Sequence, residues 1–585
     1  HSVRQPTFSK AKIDLLESWL PNGMPDTDSG KEKIQERVKA LLEALGFDVE
    51  SVLLIDDNDN KSLTYEVKLK KSFQIRHNHP IAEFGSGAES DKAGFRVTCL
   101  FGQFPQENLI DYFKRLDRGN TLVLLDHALK LQERRRLAKA IKSDKSLMHV
   151  FAVIDRVVIM YLLKHCSEQI NTKRINDTLM ALIMPFSRCR PYVWEPNKLL
   201  PPEMFKGREN EISEVKSPNG VNIVYGGRQL GKSALLKMAR RELDGNNNQR
   251  AILVDIRNQN FEEAALSVSR ELTAKKFFTE SVDTNNWDEL AYKIQSRLMS
   301  DTPTKIPYFL LMLDEADKFI ETCAEIEYTP ISALSRVQQE DYNGGRFKFV
   351  IAGLRNIVRY DKEQAQKNNG ILPMLKSLTI KPFGFEEARK LLEVPLRYLG
   401  LHFPNNKFIY TIEETALYFP GLIQYFCDKL LLTLFDSPEY GADTPIYELK
   451  ETHINKILSD KDFLDTIKDR IEITLRLGDD NYYYVIAQLL AYLCHKTPNV
   501  DEYSPQEILT LAETDDFKEL LRENFLPNDE KKINALMLEL CELNILRKTK
   551  SDKYQFSSKS IYRYMGTAQQ IEDELLNLMA EVDHG

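Results

Sequence analysis

The octapeptide Gly226-Gly227-Arg228-Gln229-Leu230-Gly231-Lys232-Ser233 constrains this chain more than any other segment. It fits G-x-x-x-x-G-K-[ST], the pattern of a phosphate-binding loop. Val221-Asn222-Ile223-Val224-Tyr225 reads as a strand before it, and Ala234-Leu235-Leu236-Lys237-Met238-Ala239 as a helix after it. That context is what the chemistry requires. Glycines let backbone N–H groups curl around an anion, and a helix N-terminus adds partial positive charge. Lys232 is then placed to meet the β- and γ-phosphates, and the Ser233 hydroxyl to ligate Mg²⁺. The whole run 226–234, Ala234 included, forms the expected binding set for ATP with Mg²⁺.

A second segment completes that chemistry. Residues 307–313 are a continuous apolar run ending in Asp314-Glu315-Ala316-Asp317. Such a run suits a parallel strand covered on both faces, and a carboxylate at its C-terminal end faces the ligand crevice. Asp314 is expected in the Mg²⁺ shell and Glu315 as the group that polarises the attacking water. Ala251–Asp255 and Phe347–Gly353 read as further strands of the same sheet. The latter leads into Leu354-Arg355-Asn356, which sets Arg355, or alternatively Asn356, as a sensor of the γ-phosphate. Arg346, just before that strand, is either a finger acting on a neighbouring subunit or a solvated loop charge.

At 585 residues with ordinary apolar content the chain has room for three or four domains. A formal charge of -8 argues against a wholly basic nucleic-acid coat. Seven scattered cysteines without a C-x-x-C read as reduced thiols in the cytoplasm, neither a disulfide framework nor a zinc site. No apolar run reaches 18 residues and no signal peptide opens the chain, so no membrane span is expected. The first residue is His1 and not Met, as in a piece of a longer chain.

Phe205-Lys206-Gly207-Arg208-Glu209-Asn210-Glu211 resembles the F-x-G-R-E-x-E segment that precedes the phosphate loop in prokaryotic STAND and related AAA+-like ATPases. The resemblance continues through the acidic strand and Gly353-Leu354-Arg355. It extends into Ile380-Lys381-Pro382-Phe383, Glu386-Glu387-Ala388 and Phe419-Pro420-Gly421-Leu422-Ile423-Gln424. It implies a helical lid and a proline, here Pro420, near the adenine, although many relatives have glycine before proline at that place. It also implies a nucleotide that works as a conformational switch with slow hydrolysis, in signalling, transcriptional control or anti-phage defence.

Upstream, residues 191–207 carry four prolines and read as a linker. Residues 1–190 form an α/β region, with a helix over Lys31–Phe47 and strands at 63–68, 121–126 and 150–155. This region reads either as a degenerate copy of the ATPase core or as a sensor or docking domain. A third reading is nuclease-like, with Asp56 or Asp57, Glu66 and Lys68 around a metal. Arg134-Arg135-Arg136 reads as the wet face of a helix.

Downstream, 436–478 is helical and charged. From Asn481 the pattern suggests a winged helix: a helix over Tyr483–Leu493, a capped start at Ser504, a helix over Ile533–Leu543, and a hairpin over Ile545–Phe556. Arg547, Lys548, Lys550 and Lys553 are the candidate DNA contacts.

The expected fold class is α/β: a P-loop NTPase parallel sheet with a helical lid and a C-terminal winged helix, plus a separate N-terminal α/β domain. The expected boundaries are 1–190, 191–207 (linker), 208–380 (ATPase core), 381–478 (lid) and 479–585 (winged helix). The expected function is an ATP-hydrolysing switch, with a nucleotide-dependent homo-oligomer, DNA or a protein as partner. The competing readings are a DNA-acting motor or loader, an ATPase fused to a nuclease-like domain, and a scaffold that binds nucleotide without turnover.

Overall fold

The computed structural model describes residues 19–582 apart from 21–22, 57–60, 71–81, 86–93, 103–105, 117–118, 166–171, 195–199, 228–229, 245–248, 300–305, 340–344, 354–374, 438–439, 441–445 and 477–480. It divides into two compact units. One gathers residues 1–207, 385–412 and 423–457, and the other 208–384, 413–422 and 458–585.

The first unit opens with α1 (Asp28–Ala44), whose N-cap Thr27 accepts from the Gly30 N–H at 3.2 Å. β1 (Val49–Asp56), β2 (Ser62–Leu69) and β3 (Gly94–Leu100) follow as an antiparallel meander. After α2 (Gln106–Arg115) come β4 (Thr121–Leu125), α3 (Leu131–Ser143), β5 (Phe151–Ile154), α4 (Arg156–His165) and α5 (Thr172–Ile183). β4 and β5 run parallel to β3, giving the order β1-β2-β3-β4-β5. β4 and β5 are buried at every position, as strands covered on both faces must be. This sheet has neither the order nor the all-parallel direction of the sheet in the second unit.

Arg135 and Arg136 are exposed as expected, but Arg134 is 8% exposed. At helical spacing it shares the inner face of α3 with Leu137, Ala138 and Ile141. Its charge is met by Asp155 at 2.5 Å, and its guanidinium lies 5.3 Å from the Phe186 ring centre. Asp155 therefore works as a structural acid, also accepting from the N–H groups of Leu129 and Val158.

The second unit carries α6 (Glu209–Lys216), β6 (Ile223–Tyr225), α7 (Lys232–Asp244), β7 (Gln249–Asp255), α8 (Phe261–Ala274), α9 (Trp287–Met299), β8 (Tyr308–Asp314), α10 (Asp317–Glu325), α11 (Thr329–Gln339), β9 (Phe347–Gly353) and β10 (Ser377–Thr379). All five strands are parallel, in the order β10-β6-β9-β8-β7. β8 and β9 are buried along their whole length, which is why their sequences are apolar without alternation, apart from Lys348 in β9 and Asp314 at the tip of β8. β9 separates the strand before the phosphate loop from the acidic strand.

α12 (Phe385–Tyr398), β11 (Leu401–His402), α13 (Asn406–Thr415), α14 (Pro420–Phe435), β12 (Tyr447–Glu448) and α15 (Glu451–Leu458) fall within 381–478, the stretch expected as a lid. Most of it belongs to the first unit. The segment before 195 is strapped onto α12 and α14. Arg190 makes a two-pronged contact with Asp428 at 2.9 and 2.7 Å, and the Trp194 indole donates to the same carboxylate at 3.2 Å. The Tyr192 hydroxyl donates to Leu392 O at 2.9 Å, and the Val193 N–H to Gln424 Oε1 at 3.0 Å. The described start of the proline-rich stretch is thus anchored rather than a free tether.

The C-terminal region of the second unit comprises α16 (Lys461–Leu475), α17 (Tyr482–Lys496), α18 (Pro505–Ala512), α19 (Lys518–Arg522), α20 (Glu530–Glu542), β13 (Leu546–Lys548), β14 (Tyr554–Phe556), α21 (Lys559–Tyr564) and α22 (Ala568–Val582). Ser504 and Glu507 form the capping box that starts α18. β13 and β14 make an antiparallel hairpin, and Tyr503 bridges to Tyr554 on it.

Candidate functional site

The site begins at the C-terminal end of β6, where the chain must turn sharply. Gly226 has φ +150°, and a Cβ added there would lie 2.5 Å from Ile380 O. Gly231, at φ +93°, is in a region that L side chains rarely adopt. Gly227 borders another part of the same unit, since a Cβ on it would lie 3.5 Å from Leu543 O, just beyond α20. Arg228 and Gln229 lie outside the described residues. Leu230 is fully buried and anchors the loop.

Lys232 is the first residue of α7 and only 9% exposed. Its ammonium donates to Gly226 O at 2.7 Å and to Gly227 O at 2.8 Å. The loop therefore curls over a buried cation, at the helix end where partial positive charge accumulates. Ser233 and Ala234, in the same turn, are half-buried.

Opposite stands the tip of β8. Asp314 is 6% exposed. Burial pushes its carboxyl above the ordinary carboxylate value, as does the neighbouring Glu315; a hydrogen bond from Ser233 and the charge of Lys232 pull it back. Asp314 and Ser233, expected to share Mg²⁺, are thus in contact. After Asp314 the strand turns. Glu315 takes the left-handed conformation, φ +56°, and its N–H is held by Asp314 Oδ1 at 3.0 Å. The Ala316 N–H donates to Ala352 O at 2.9 Å on β9. A non-glycine residue at positive φ costs about 1–3 kcal/mol and persists only where its surroundings impose it. The turn leaves the Glu315 side chain 30% exposed, at the edge of the site.

Two residues beside it escaped the reading of the sequence. Asp255 ends β7 in register with Asp314. Arg257, two positions on, lies 3.6 Å from both the Asp255 and the Glu315 carboxylates. The signal was a strand ending in aspartate with an arginine two residues later, and it gains meaning only once β7 is known to pair with β8.

Arg355 and Asn356 lie outside the described residues. Pro420 is half-buried at the first position of α14, where its fixed φ suits a helix start. Arg346 is half-buried at the N-terminal end of β9, the far end of the sheet from the loop, and donates to Leu298 O at 3.4 Å. Glu66 and Lys68 are exposed on β2, Glu66 in register with Leu53 and Arg96, while Asp56 pairs with Thr64. Asp57 lies outside the described residues. Among the described residues no group of three or more histidine, cysteine or acidic side chains could hold a metal ion.

A parallel sheet, an inserted β9, and a glycine loop facing an acidic strand tip decide the fold. It is that of the P-loop NTPases. Among solved structures, the chain is similar to the ORC2 protein of Aeropyrum pernix in its ADPNP–ADP complexes, at 14% identity over 65% of this chain and 96% of that one, TM-score 0.42. Cdc6p from Pyrobaculum aerophilum matches at 12% identity over 63% and 94%, TM-score 0.28. AMPPCP-bound DnaA from Aquifex aeolicus matches at 16% over 62% and 92%, TM-score 0.26. No protein-family model and no curated protein matches the chain. Among the described residues no helix is long and apolar enough to cross a membrane.

Proposed function

We propose that this chain is an ATP-binding and ATP-hydrolysing conformational switch. The observation that carries this reading is the convergence of Lys232 and Ser233 with Asp314 and Glu315 at the C-terminal ends of β6 and β8, two strands of one sheet with β9 between them. The donor set fits a magnesium triphosphate: a buried ammonium under a glycine loop, a hydroxyl and carboxylate already paired, and a second carboxylate at the rim.

In this mechanism the loop N–H groups and Lys232 bind and orient the phosphates. Ser233 and Asp314 hold Mg²⁺, which neutralises charge on the phosphate oxygens when bound. Glu315, on its strained turn, takes the proton from the attacking water. Pro420 sits at the start of α14 and is the expected contact for the base. The γ-phosphate supplies the differential contact between two conformations, as a nucleotide switch requires. The helices and hairpin after 479 are read as a winged helix and as the part that moves with the nucleotide. By resemblance to STAND and AAA+-like ATPases, the setting is prokaryotic signalling or defence, with a nucleotide-dependent homo-oligomer.

A DNA-acting motor is the second reading, favoured by the exposed Arg547, Lys548 and Lys550 on the hairpin. Phosphate release and light scattering, each with and without ATP, Mg²⁺ and duplex DNA, separate the two. A switch hydrolyses slowly and changes size with nucleotide whether or not DNA is present, whereas a motor accelerates on DNA in a salt-dependent way. Nucleotide bound without turnover, and unchanged in Glu315→Gln, would leave only a scaffold.

A further inference from the structure

Arg208 opens α6 as its N-cap residue, yet its side chain makes no capping bond. It points into the unit and is 7% exposed. One arm of the guanidinium pairs with Glu211 at 3.0 Å. The other donates both to Leu230 O, at 3.3 Å, and to Lys381 O. The flat face of the guanidinium lies 4.8 Å from the Phe383 ring centre.

These contacts join Leu230 and Lys381, two positions 151 residues apart in sequence (381 − 230). Leu230 is the last residue before Gly231 and Lys232. In a trans peptide the carbonyl and the following N–H point in opposite directions. Arg208, by holding Leu230 O, fixes the Gly231 N–H facing away from itself. Lys381 continues the chain beyond β10. Its neighbour Ile380 donates to Tyr225 O at 2.7 Å and leaves no room for a side chain on Gly226. Two residues on, the Phe383 N–H donates to Tyr418 O at 3.0 Å, on the turn that leads to Pro420. The stretch 380–383 thus touches the start of the phosphate loop directly, its end through Arg208, and the approach to α14.

We propose that Arg208 is a positioning residue that sets the phosphate loop and couples its occupancy to the 380–383 segment from which the lid departs. It acts through Leu230 and Lys381 and touches no reacting atom. A planar guanidinium suits this role, because one arm reaches two carbonyls while the face stacks on an aromatic ring; an ammonium offers a point charge without a fork. The inference rests on the reading of the site as an ATPase.

The test compares wild type with Arg208→Ala, Arg208→Lys and Phe383→Leu. Three readouts are taken on each: binding of AMP-PNP with Mg²⁺ by calorimetry, the separate kcat and KM for ATP, and the protection from trypsin that saturating AMP-PNP gives. Removal of charged hydrogen bonds predicts affinity about tenfold weaker in Arg208→Ala. It also predicts that the protection by saturating nucleotide is lost. Arg208→Lys should regain part of the affinity but not the protection, and Phe383→Leu should keep the affinity and reduce the protection. Should Arg208→Ala fail to fold, the lysine and leucine variants decide. Wild-type affinity together with wild-type protection in the folded variants would overturn the inference. A wild-type chain that binds no nucleotide would instead overturn the ATPase reading itself.

Discussion

Arg257 lies 3.6 Å from Glu315, with the arginine side chain 62% and the glutamate 30% exposed. A pair this open is worth about 0.2–1 kcal/mol, because water screens it. Arg257→Ala is therefore predicted to lower ATP turnover by less than about fivefold. Glu315→Gln removes the proton acceptor and is predicted to cost at least about a hundredfold in kcat, with nucleotide affinity kept. Single-turnover phosphate release on both variants checks this. Equal losses would mean that Arg257 meets the reacting atoms rather than the carboxylate beside them.

Lys348 is fully buried in β9, and its amine donates to Glu214 O at 2.8 Å and Ser217 O at 2.6 Å, closing the end of α6. Burial lowers its pKa from 10.5 to about 7, with Glu214 opposing that shift and Lys376 adding to it. Two carbonyls need two N–H donors, and a neutral amine has two. From about pH 7 to 10.5 the unfolded chain holds a proton that the folded chain lacks, so stability rises with pH across that window. Below about pH 7 the whole penalty is present. Urea midpoints at pH 6.5 and 9.5 should show wild type gaining on Lys348→Met by on the order of 1 kcal/mol or more. The variant cancels the tyrosines and cysteines that titrate in the same range. Parallel pH curves would contradict the assignment.

Much of the parallel-sheet core was legible because its signals are local. A glycine loop between a strand and a helix, and an apolar run ending in two acids, each announce themselves within ten residues. The spacing of Ser504 and Glu507 likewise marked a helix start that the structure caps with that same pair. What escaped depends on pairing across long separations. Arg257 acquires its neighbour only through the β7–β8 register. Arg134 looked solvated because the run of three arginines hides that the first shares a face with Leu137 and Ile141. Residues 191–207 read as a linker because prolines signal loops, whereas the partners of Tyr192, Val193 and Trp194 on α12 and α14 lie about 200 residues away or more.

The C-terminal hairpin bears on DNA binding. Arg547, Lys548, Lys550 and Lys553 on the hairpin, with Lys559 and Arg563 on α21 after it, supply the positive charge there. Lys548 is paired with Asp552 at 2.6 Å, Lys553 with Glu507 at 3.2 Å and Lys559 with Asp501 at 2.9 Å. The other three basic side chains, Arg547, Lys550 and Arg563, correspond to a slope of log K against log salt no steeper than about -3. Duplex DNA should leave the ATPase rate unchanged near physiological salt. Fluorescence anisotropy of labelled duplex across a salt series measures the slope, and a value near -6 would restore DNA as the main partner.

The most direct measurement is calorimetric titration of ATP into the folded chain, with Mg²⁺ and with EDTA, for wild type, Lys232→Ala and Asp314→Ala. One-site binding is expected, weakened at least about a hundredfold in Lys232→Ala, consistent with the loss of a buried charged contact. Asp314→Ala should remove the dependence on Mg²⁺. Absence of Mg²⁺-dependent binding in a chain whose fold is intact, or Lys232→Ala binding as wild type does, would overturn the nucleotide site.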